Sequence, residues 1–200
     1  MQFSDLDLTK TYTYDDYLKW TFDERLELIK GYVFKMSPAP AEFHQRILTT
    51  VGTEIYNYLK RKTCKVYFAP FDVRLVRKSL DDKQITTVVQ PDICVICDLK
   101  KIDKKGCLGA PDIVVEILSP GNNKKELQNK YEVYEEAGVK EYWIIQPEEK
   151  TFFKYILDDK GYYQPTKLLT LGDNVTSTIL PDFKLNLDEV FADLFNETED

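Results

Sequence analysis

The chain has 200 residues, of which 43% are hydrophobic and 30% charged, and its net charge is −7. This composition allows a real hydrophobic core under a well-solvated surface, so we expect one domain spanning residues 1–200. The acidic balance argues against a protein that coats nucleic acid non-specifically, because such binding depends on clustered lysine and arginine.

Membrane insertion and secretion are not expected. The longest apolar runs, near 113–118 and 142–145, are far shorter than the roughly 18 residues that a spanning helix needs. The first residues, MQFSDLDLTK, lack the basic-then-apolar pattern of a signal peptide. These features predict a cytoplasmic protein without membrane contact.

The N-terminal part of the sequence predicts two helices and a hairpin. Asp15–Trp20 resembles a short helix, and Leu26–Met36 alternates around the turn-like pair Lys30-Gly31. From Glu42 to about Lys62, apolar residues recur at helical spacing, which predicts an amphipathic helix that packs on a sheet. These apolar residues are Ile47, Val51, Ile55 and Leu59.

Three strands are predicted next, at Lys65–Val76, Gln90–Asp98 and Asp112–Leu118. The second and third are rich in β-branched and apolar residues on both faces. Strands of this composition are covered by other elements on both sides. We therefore place them in the middle of the sheet.

The C-terminal part predicts a helix ended by Gly138, a buried strand at Glu141–Gln146, a hairpin and a terminal helix at Leu187–Phe195. The hairpin would pair Thr151–Leu157 with Tyr162–Leu168. The order of elements predicts an α/β (α+β) fold, a central mixed β-sheet flanked by helices with a hairpin at each end. The helix before Gly138 is marked by Leu127, Tyr131, Tyr134 and Ala137.

The four cysteines do not predict a zinc site. Cys94 and Cys97 have CxxC spacing but lie in an apolar strand, where residues three apart point to opposite faces. Cys64 and Cys107 are isolated in the sequence, and His44 is the only histidine. We interpret Cys94 and Cys97 as small buried hydrophobic residues.

Two carboxylates interrupt the apolar strands. Glu116 lies in the middle of one, where a buried carboxylate is costly unless it is paired, protonated or bound to a metal. If the strands holding Asp92 and Glu116 pair antiparallel in an even-sum register, both side chains lie together on one face. Asp112 lies at the far end of that pairing and is interpreted as a strand-entry residue.

Lys130 is the candidate cation. It follows Leu127 by three residues and precedes Tyr134 by four, which places it on the inward stripe of its helix. A cation beside two carboxylates lowers their pKa values and can hold a water or a phosphate, and a divalent ion between Asp92 and Glu116 would neutralise their repulsion. From spacing alone, a lysine extending along the surface is the alternative.

At these residues the chain resembles the Uma-type family of restriction endonuclease-like proteins, within the PD-(D/E)xK nuclease superfamily. The resemblance covers most of the chain, and its motifs are specific in combination. The matching stretches are ELIKGYVFKMSPAPAEFH (27–44), FDVRL (71–75), QPDICVICD (90–98), GAPDIVVEILSP (109–120) and KYEVYEEAGVKEYWIIQP (130–147).

The resemblance implies a restriction endonuclease-like fold, with Asp92 as the first acidic residue of the superfamily motif and Glu116 as the second. The motif's lysine slot, two residues after the glutamate, holds Leu118 here. In the family that this chain resembles, the lysine lies in the following helix, which matches Lys130.

Four further residues could line such a site: Gln90, Glu54, His44 and Asp72. Each also has a simpler interpretation. Gln90 could be a strand-edge residue, Glu54 a solvated one, His44 a packed or capping histidine, and Asp72 a hydrogen-bonding residue at the edge of its strand.

Two functions follow from the sequence. The first is a Mg²⁺- or Mn²⁺-dependent endonuclease acting on DNA, in which Asp92, Glu116 and the backbone carbonyl of Ile117 hold the metal and Lys130 orients the nucleophile. A homodimer would match the symmetry of a DNA duplex. The second is a non-catalytic module that binds nucleic acid or protein and retains the fold, as the acidic net charge and Leu118 suggest.

Overall fold

A computed structural model describes residues 3–36, 42–76, 81–120, 124–192 and 194, and residues 124–126 by their backbone alone. The helices of this part are α1 (Tyr14–Tyr17), α2 (Glu42–Leu59), α3 (Lys124–Ala137) and α4 (Leu187–Val190). Its strands are β1 (Leu26–Ile29), β2 (Tyr32–Lys35), β3 (Lys65–Phe68), β4 (Val73–Arg74), β5 (Val88–Val89), β6 (Ile93–Ile96), β7 (Ile102–Asp103), β8 (Gly106–Leu108), β9 (Ile113–Ile117), β10 (Glu141–Gln146), β11 (Thr151–Leu157), β12 (Tyr163–Pro165), β13 (Asn174–Thr176) and β14 (Lys184–Asn186).

These strands form two six-stranded sheets and a two-stranded ribbon. The first sheet has the order β2-β1-β5-β4-β8-β7, and the second has the order β12-β11-β10-β9-β6-β3. In the second sheet β9 and β10 run parallel, and α3 is the crossover between them. The other strand pairs of the second sheet are antiparallel, so this sheet is mixed.

The second sheet is covered on both faces, as the apolar composition of its strands predicts. On one face, α2 packs its Ile47, Val51 and Ile55 against odd-numbered residues of β6 and β9. On the other face, Val133 and Tyr134 of α3 pack against even-numbered residues of the same strands. Full burial of one such apolar side chain stabilises the fold by about 1.5–3 kcal/mol.

Gly138 ends α3 as the sequence predicts. Its φ is +86°, a conformation that glycine adopts without steric cost, and its N–H donates to the Tyr134 carbonyl. β10 begins three residues after Gly138, at Glu141. This short connection holds the end of α3 close to β10.

The predicted α/β fold class and most of its elements are confirmed, including the long second helix, the buried strand β10 and the hairpin of β11 and β12. The strand predicted at Lys65–Val76 is wrong. It is broken at the cis peptide bond Ala69–Pro70, after which the chain moves from the second sheet to the first. The N-terminal hairpin, predicted as an addition to one central sheet, is part of the first six-stranded sheet.

Several boundaries differ from the predictions. The strand predicted at Asp112–Leu118 spans Ile113–Ile117, and the helix predicted to about Lys62 ends at Leu59. The hairpin strand predicted at Tyr162–Leu168 spans Tyr163–Pro165. The helix predicted at Asp15–Trp20 spans Tyr14–Tyr17, because Thr13 caps it one residue earlier through a capping box with Asp16. The strand predicted at Gln90–Asp98 is confined to β6. The terminal helix ends at Val190, and residues 193 and 195 of the predicted range lie outside the described part of the chain.

The cysteine prediction holds for one thiol of the CxxC pair. Cys94 and Cys107 are free and buried, but Cys97 forms a disulfide with Cys64. Cys64 precedes β3 and Cys97 follows β6, so the antiparallel register of these strands places the two residues opposite each other. The isolation of Cys64 in the sequence was therefore misleading.

No described helix is long and apolar enough to cross a membrane.

Candidate active site

Asp92 and Glu116 lie together on neighbouring strands of the second sheet. The register of β6 and β9 pairs Ile93 with Val115, and extending it by one residue places Asp92 opposite Glu116. This is the antiparallel, even-sum register under which the sequence analysis expected the two side chains to lie together. Oδ2 of Asp92 accepts a hydrogen bond from the N–H of Ile117 at 2.8 Å, which holds the carboxylate against the end of β9.

Lys130 reaches the same place from α3. Its Nζ lies 3.0 Å from Oε1 of Glu116 and 3.2 Å from Oε1 of Glu27, and its side chain is only 7% exposed. The hydroxyl of Tyr134, one turn further along α3, donates to the same Glu116 oxygen at 2.7 Å. The inward orientation that the helical spacing predicts is therefore observed.

Burial and charge set the protonation equilibria at this site. Burial raises the pKa of Glu116 to about 7, with Lys130 opposing the shift and the carboxylates of Asp92 and Glu27 adding to it. Burial lowers the pKa of Lys130, but the facing carboxylates of Glu116 and Glu27 outweigh that effect and raise it well above its usual value. Lys130 is therefore a permanent cation among carboxylates.

His44 contacts the site from the start of α2. Its Nε2 lies 3.3 Å from Oδ2 of Asp92, and the residue is buried. Burial lowers the pKa of His44, yet the hydrogen bond and charge of Asp92, the charge of Glu116 and the Ile117 backbone together raise it. Its Nδ1 is buried and has no partner among the described residues. The structure thus places this predicted secondary residue directly on Asp92.

Gln90 contacts Glu27, and Asp72 contacts Gln90. The backbone N–H of Gln90 donates to Oε1 of Glu27 at 2.8 Å, and its side-chain amide donates to Oδ1 of Asp72 at 2.9 Å. The hydroxyl of Tyr14 donates to the other Asp72 oxygen. Among the described contacts, Asp72 is thus linked to Lys130 through Gln90 and Glu27, and no described contact joins it to Asp92.

Glu54 and Asp112 lie away from this centre. Glu54 is ten residues after His44 on the same helix, a distance of roughly 15 Å along the axis. Asp112 lies at the opposite end of β9, where it accepts hydrogen bonds from the N–H of Cys97 and from Nζ of Lys140, both at 2.7 Å. Asp112 thus has the strand-entry role that the sequence suggests.

The sequence analysis missed Glu27 and Tyr134. Glu27 is 3% exposed in β1, a strand of otherwise apolar residues. It carries the same signal that singled out Glu116, a glutamate within an apolar strand, but in a run of only four residues. Tyr134 was interpreted only as a packing residue of α3, and no pattern in the sequence indicates where its hydroxyl is directed.

The donor set fits a divalent cation through its unused carboxylate oxygens. No described residue bonds to Oδ1 of Asp92 or Oε2 of Glu116, because the hydrogen bonds of these carboxylates all involve the other oxygen of each. Glu116 and Glu27 contact Lys130, and His44 contacts Asp92. Within the described residues, no three His, Cys, Asp or Glu side chains form a metal-binding group, so a backbone oxygen would have to complete the set.

A mixed sheet that brings an aspartate, a glutamate and a lysine from the crossover helix together belongs to the restriction endonuclease-like class. The same fold occurs in a protein from Anabaena variabilis, described as a "putative nuclease belonging to DUF820". The two chains are 19% identical, the match covers 90% of this chain and 97% of that one, and the TM-score is 0.68.

The family follows from a sequence model. The model of the Uma2 family, described as "putative restriction endonuclease", matches residues 14–188, and the chain belongs to this family. This confirms the resemblance found in the sequence. No functionally curated protein matches the chain.

Proposed function

We propose that the protein is a divalent-metal-dependent endonuclease that hydrolyses phosphodiester bonds of DNA. The observation that carries this proposal is the contact of Lys130 Nζ with Glu116 at 3.0 Å, beside Asp92. In this proposal Lys130 of α3 takes the part of the lysine that is missing from position 118. Family membership supports a hydrolase of this kind.

Asp92, Glu116 and the backbone carbonyl of Ile117 would hold the metal, Mg²⁺ or Mn²⁺. Both carboxylates keep one oxygen that no described residue uses, and oxygen donors are those that these ions prefer. When bound, such an ion supplies activation of a water nucleophile and neutralisation of charge on the phosphate.

The side chains around the metal ligands have separate tasks in the proposed reaction. Lys130 stabilises the negative charge that grows on the phosphate as a water oxygen bonds to phosphorus and the bond to the leaving strand oxygen breaks. Glu27 and Tyr134 position Lys130 and Glu116, and His44 holds Asp92 through Oδ2. The attacking water gives up a proton to solvent, and the leaving oxygen takes one from solvent.

The test is cleavage of supercoiled plasmid and of single-stranded DNA with Mg²⁺ or Mn²⁺. We expect the wild type to cut, and we expect Asp92→Ala, Glu116→Ala and Lys130→Ala to lose cleavage. The matched control is Lys140→Ala, which removes the other lysine–carboxylate pair of β9, at its far end, where Lys140 lies 2.7 Å from Asp112. Retained cleavage by folded Lys130→Ala would contradict the role of that lysine.

A non-catalytic binding module is the second candidate, and one observation favours it. Lys130 is already neutralised by two buried carboxylates, at 3.0 and 3.2 Å, so a phosphate must compete with them. A folded wild type that neither cuts DNA nor is stabilised by Mn²⁺ would select this candidate. DNA binding measured in the same samples would then separate a nucleic-acid-binding module from a protein-binding one.

The proposed nuclease would act on duplex DNA as a homodimer. One site of this type cuts one strand, and a two-fold axis in the protein matches the symmetry of a duplex. Sedimentation of the protein with and without a short duplex measures this directly. A monomer in both samples would contradict it.

A further inference from the structure

A cleft of about 680 Å³ lies on the α3 side of the second sheet, beside the candidate active site. Its floor is formed by Ile144 of β10 and by Phe153 and Tyr155 of β11, and its far wall by Leu127 and Tyr131 of α3. Most of its lining is apolar, and Phe153 is 39% exposed. A large apolar side chain exposed in a concave site is characteristic of ligand pockets.

The strand register places the floor of the cleft on the same sheet face as Glu116. Glu116 of β9 pairs with Ile144 of β10, and Ile144 pairs with Phe153 of β11. Directly paired residues point to the same face of a sheet, and neighbouring strands lie about 4.8 Å apart. Phe153 is therefore only about 10 Å from Glu116, measured between backbones, with Ile144 between them.

The polar groups of the cleft indicate what it can bind. Among its described lining residues there is no lysine or arginine, and Glu149 is the one with a charged side chain. Gln146 also lines it, and its side-chain oxygen is buried without a partner among the described residues. A buried acceptor of this kind is stabilised by an N–H donor from a ligand.

A nucleobase matches these features of the cleft. It is flat and uncharged, it has N–H donors at its edge, and it is linked to a phosphate about 10 Å away or less. We propose that the cleft is a nucleobase subsite, in which an unpaired base next to the scissile phosphate stacks on Phe153 and donates a hydrogen bond to Gln146. This inference rests on the proposed nuclease function. Its consequence is that the base beside the scissile phosphate is unpaired, either because it has left the stack of the duplex on which a homodimer would act or because the substrate is single-stranded.

The experiment compares two single strands of equal length and charge, an oligodeoxyadenylate and a strand of abasic deoxyribose phosphates. Binding is measured by fluorescence anisotropy with Ca²⁺ in place of Mg²⁺, and gels verify that both strands stay intact. We expect the wild type to bind the adenine strand at least about tenfold more tightly, because stacking on an aromatic side chain contributes this much.

Three variants locate the base-dependent part of that affinity. Phe153→Ala is expected to bring the two affinities within about twofold, and Phe153→Trp to keep the difference because it retains an aromatic face. Tyr56→Ala is the matched control, since Tyr56 is an aromatic residue of α2, 56% exposed and outside this cleft. Thermal melting verifies that each variant is folded.

Equal affinity of the wild type for both strands, or a difference that survives in Phe153→Ala, would overturn the subsite. So would self-association that Phe153→Ala abolishes without any base-dependent binding, which would assign the cleft to contacts between copies of the chain. Because hydrolysis is not needed for binding, base-dependent binding without cleavage would refute the nuclease alone. Cleavage without base-dependent binding would refute the subsite alone.

Discussion

Binding of Mn²⁺ should stabilise the folded protein, and the substitution Glu116→Gln should remove that stabilisation. The amide keeps the size of the side chain and an oxygen that can accept from Lys130 and Tyr134, as Oε1 does in the wild type. It removes one negative charge and one of the two carboxylates with an unused oxygen. The metal should therefore lose affinity without a loss of packing.

The size of the effect follows from ligand linkage. At a Mn²⁺ concentration of about 100 times Kd, binding to the folded state alone contributes about 2.7 kcal/mol to the free energy of unfolding. For a chain of this length, 1 kcal/mol shifts Tm by about 2–4 °C. We therefore expect Mn²⁺ to raise the Tm of the wild type by about 5–11 °C, and that of Glu116→Gln by less than about 2 °C.

The assay is thermal unfolding followed by circular dichroism across a Mn²⁺ titration, with EDTA as the reference. Asp112→Asn is the matched control, because Asp112 is also a buried carboxylate of this strand pair but lies at its other end. It should keep the full metal shift. An equal shift in the wild type and in Glu116→Gln would show that Mn²⁺ binds elsewhere, and the site argued from the unused carboxylate oxygens would be wrong.

Two further predictions concern the scaffold. Reduction of the Cys64–Cys97 disulfide, or its replacement by two alanines, should lower the free energy of unfolding by about 3–4 kcal/mol, because the bridge closes a loop of 33 residues. Urea denaturation with and without reductant measures this loss. Identical denaturation curves would contradict the prediction. Gly106→Ala should cost at least about 2 kcal/mol, because φ is +117° there and a Cβ would collide with the backbone carbonyl of Asp72. The same urea assay applies, and a loss below about 1 kcal/mol would mean that the β7–β8 turn can move.

The placement of Asp92, Glu116 and Lys130 near one another could be predicted from strong local patterns. Glu116 interrupts a strand that is otherwise apolar, and the parity of residues 92 and 116 restricts the register that can bring them together. Lys130 could be assigned to the inward stripe because α3 has a regular apolar period between Leu127 and Tyr134. In each case a local period converts directly into a direction in space.

The features that the sequence did not predict depend on contacts between distant segments of the chain. The first sheet includes β4 and β5, each of two residues, and strands of that length have no period to detect. The disulfide depends on the register of β3 and β6, which the spacing of the cysteines does not encode. Glu27 becomes a site residue only because the hairpin of β1 and β2 meets α3.

The contact between Glu27 and Lys130 of α3 makes this lysine a link between the two six-stranded sheets. One of its partners, Glu27, belongs to the first sheet, and the other, Glu116, belongs to the second. Neither sheet holds the lysine's full set of partners until both have docked against α3. Under the proposed function, a chain that is only partly folded would lack an organised cutting centre, so the destructive activity of a nuclease would arise only after folding is complete.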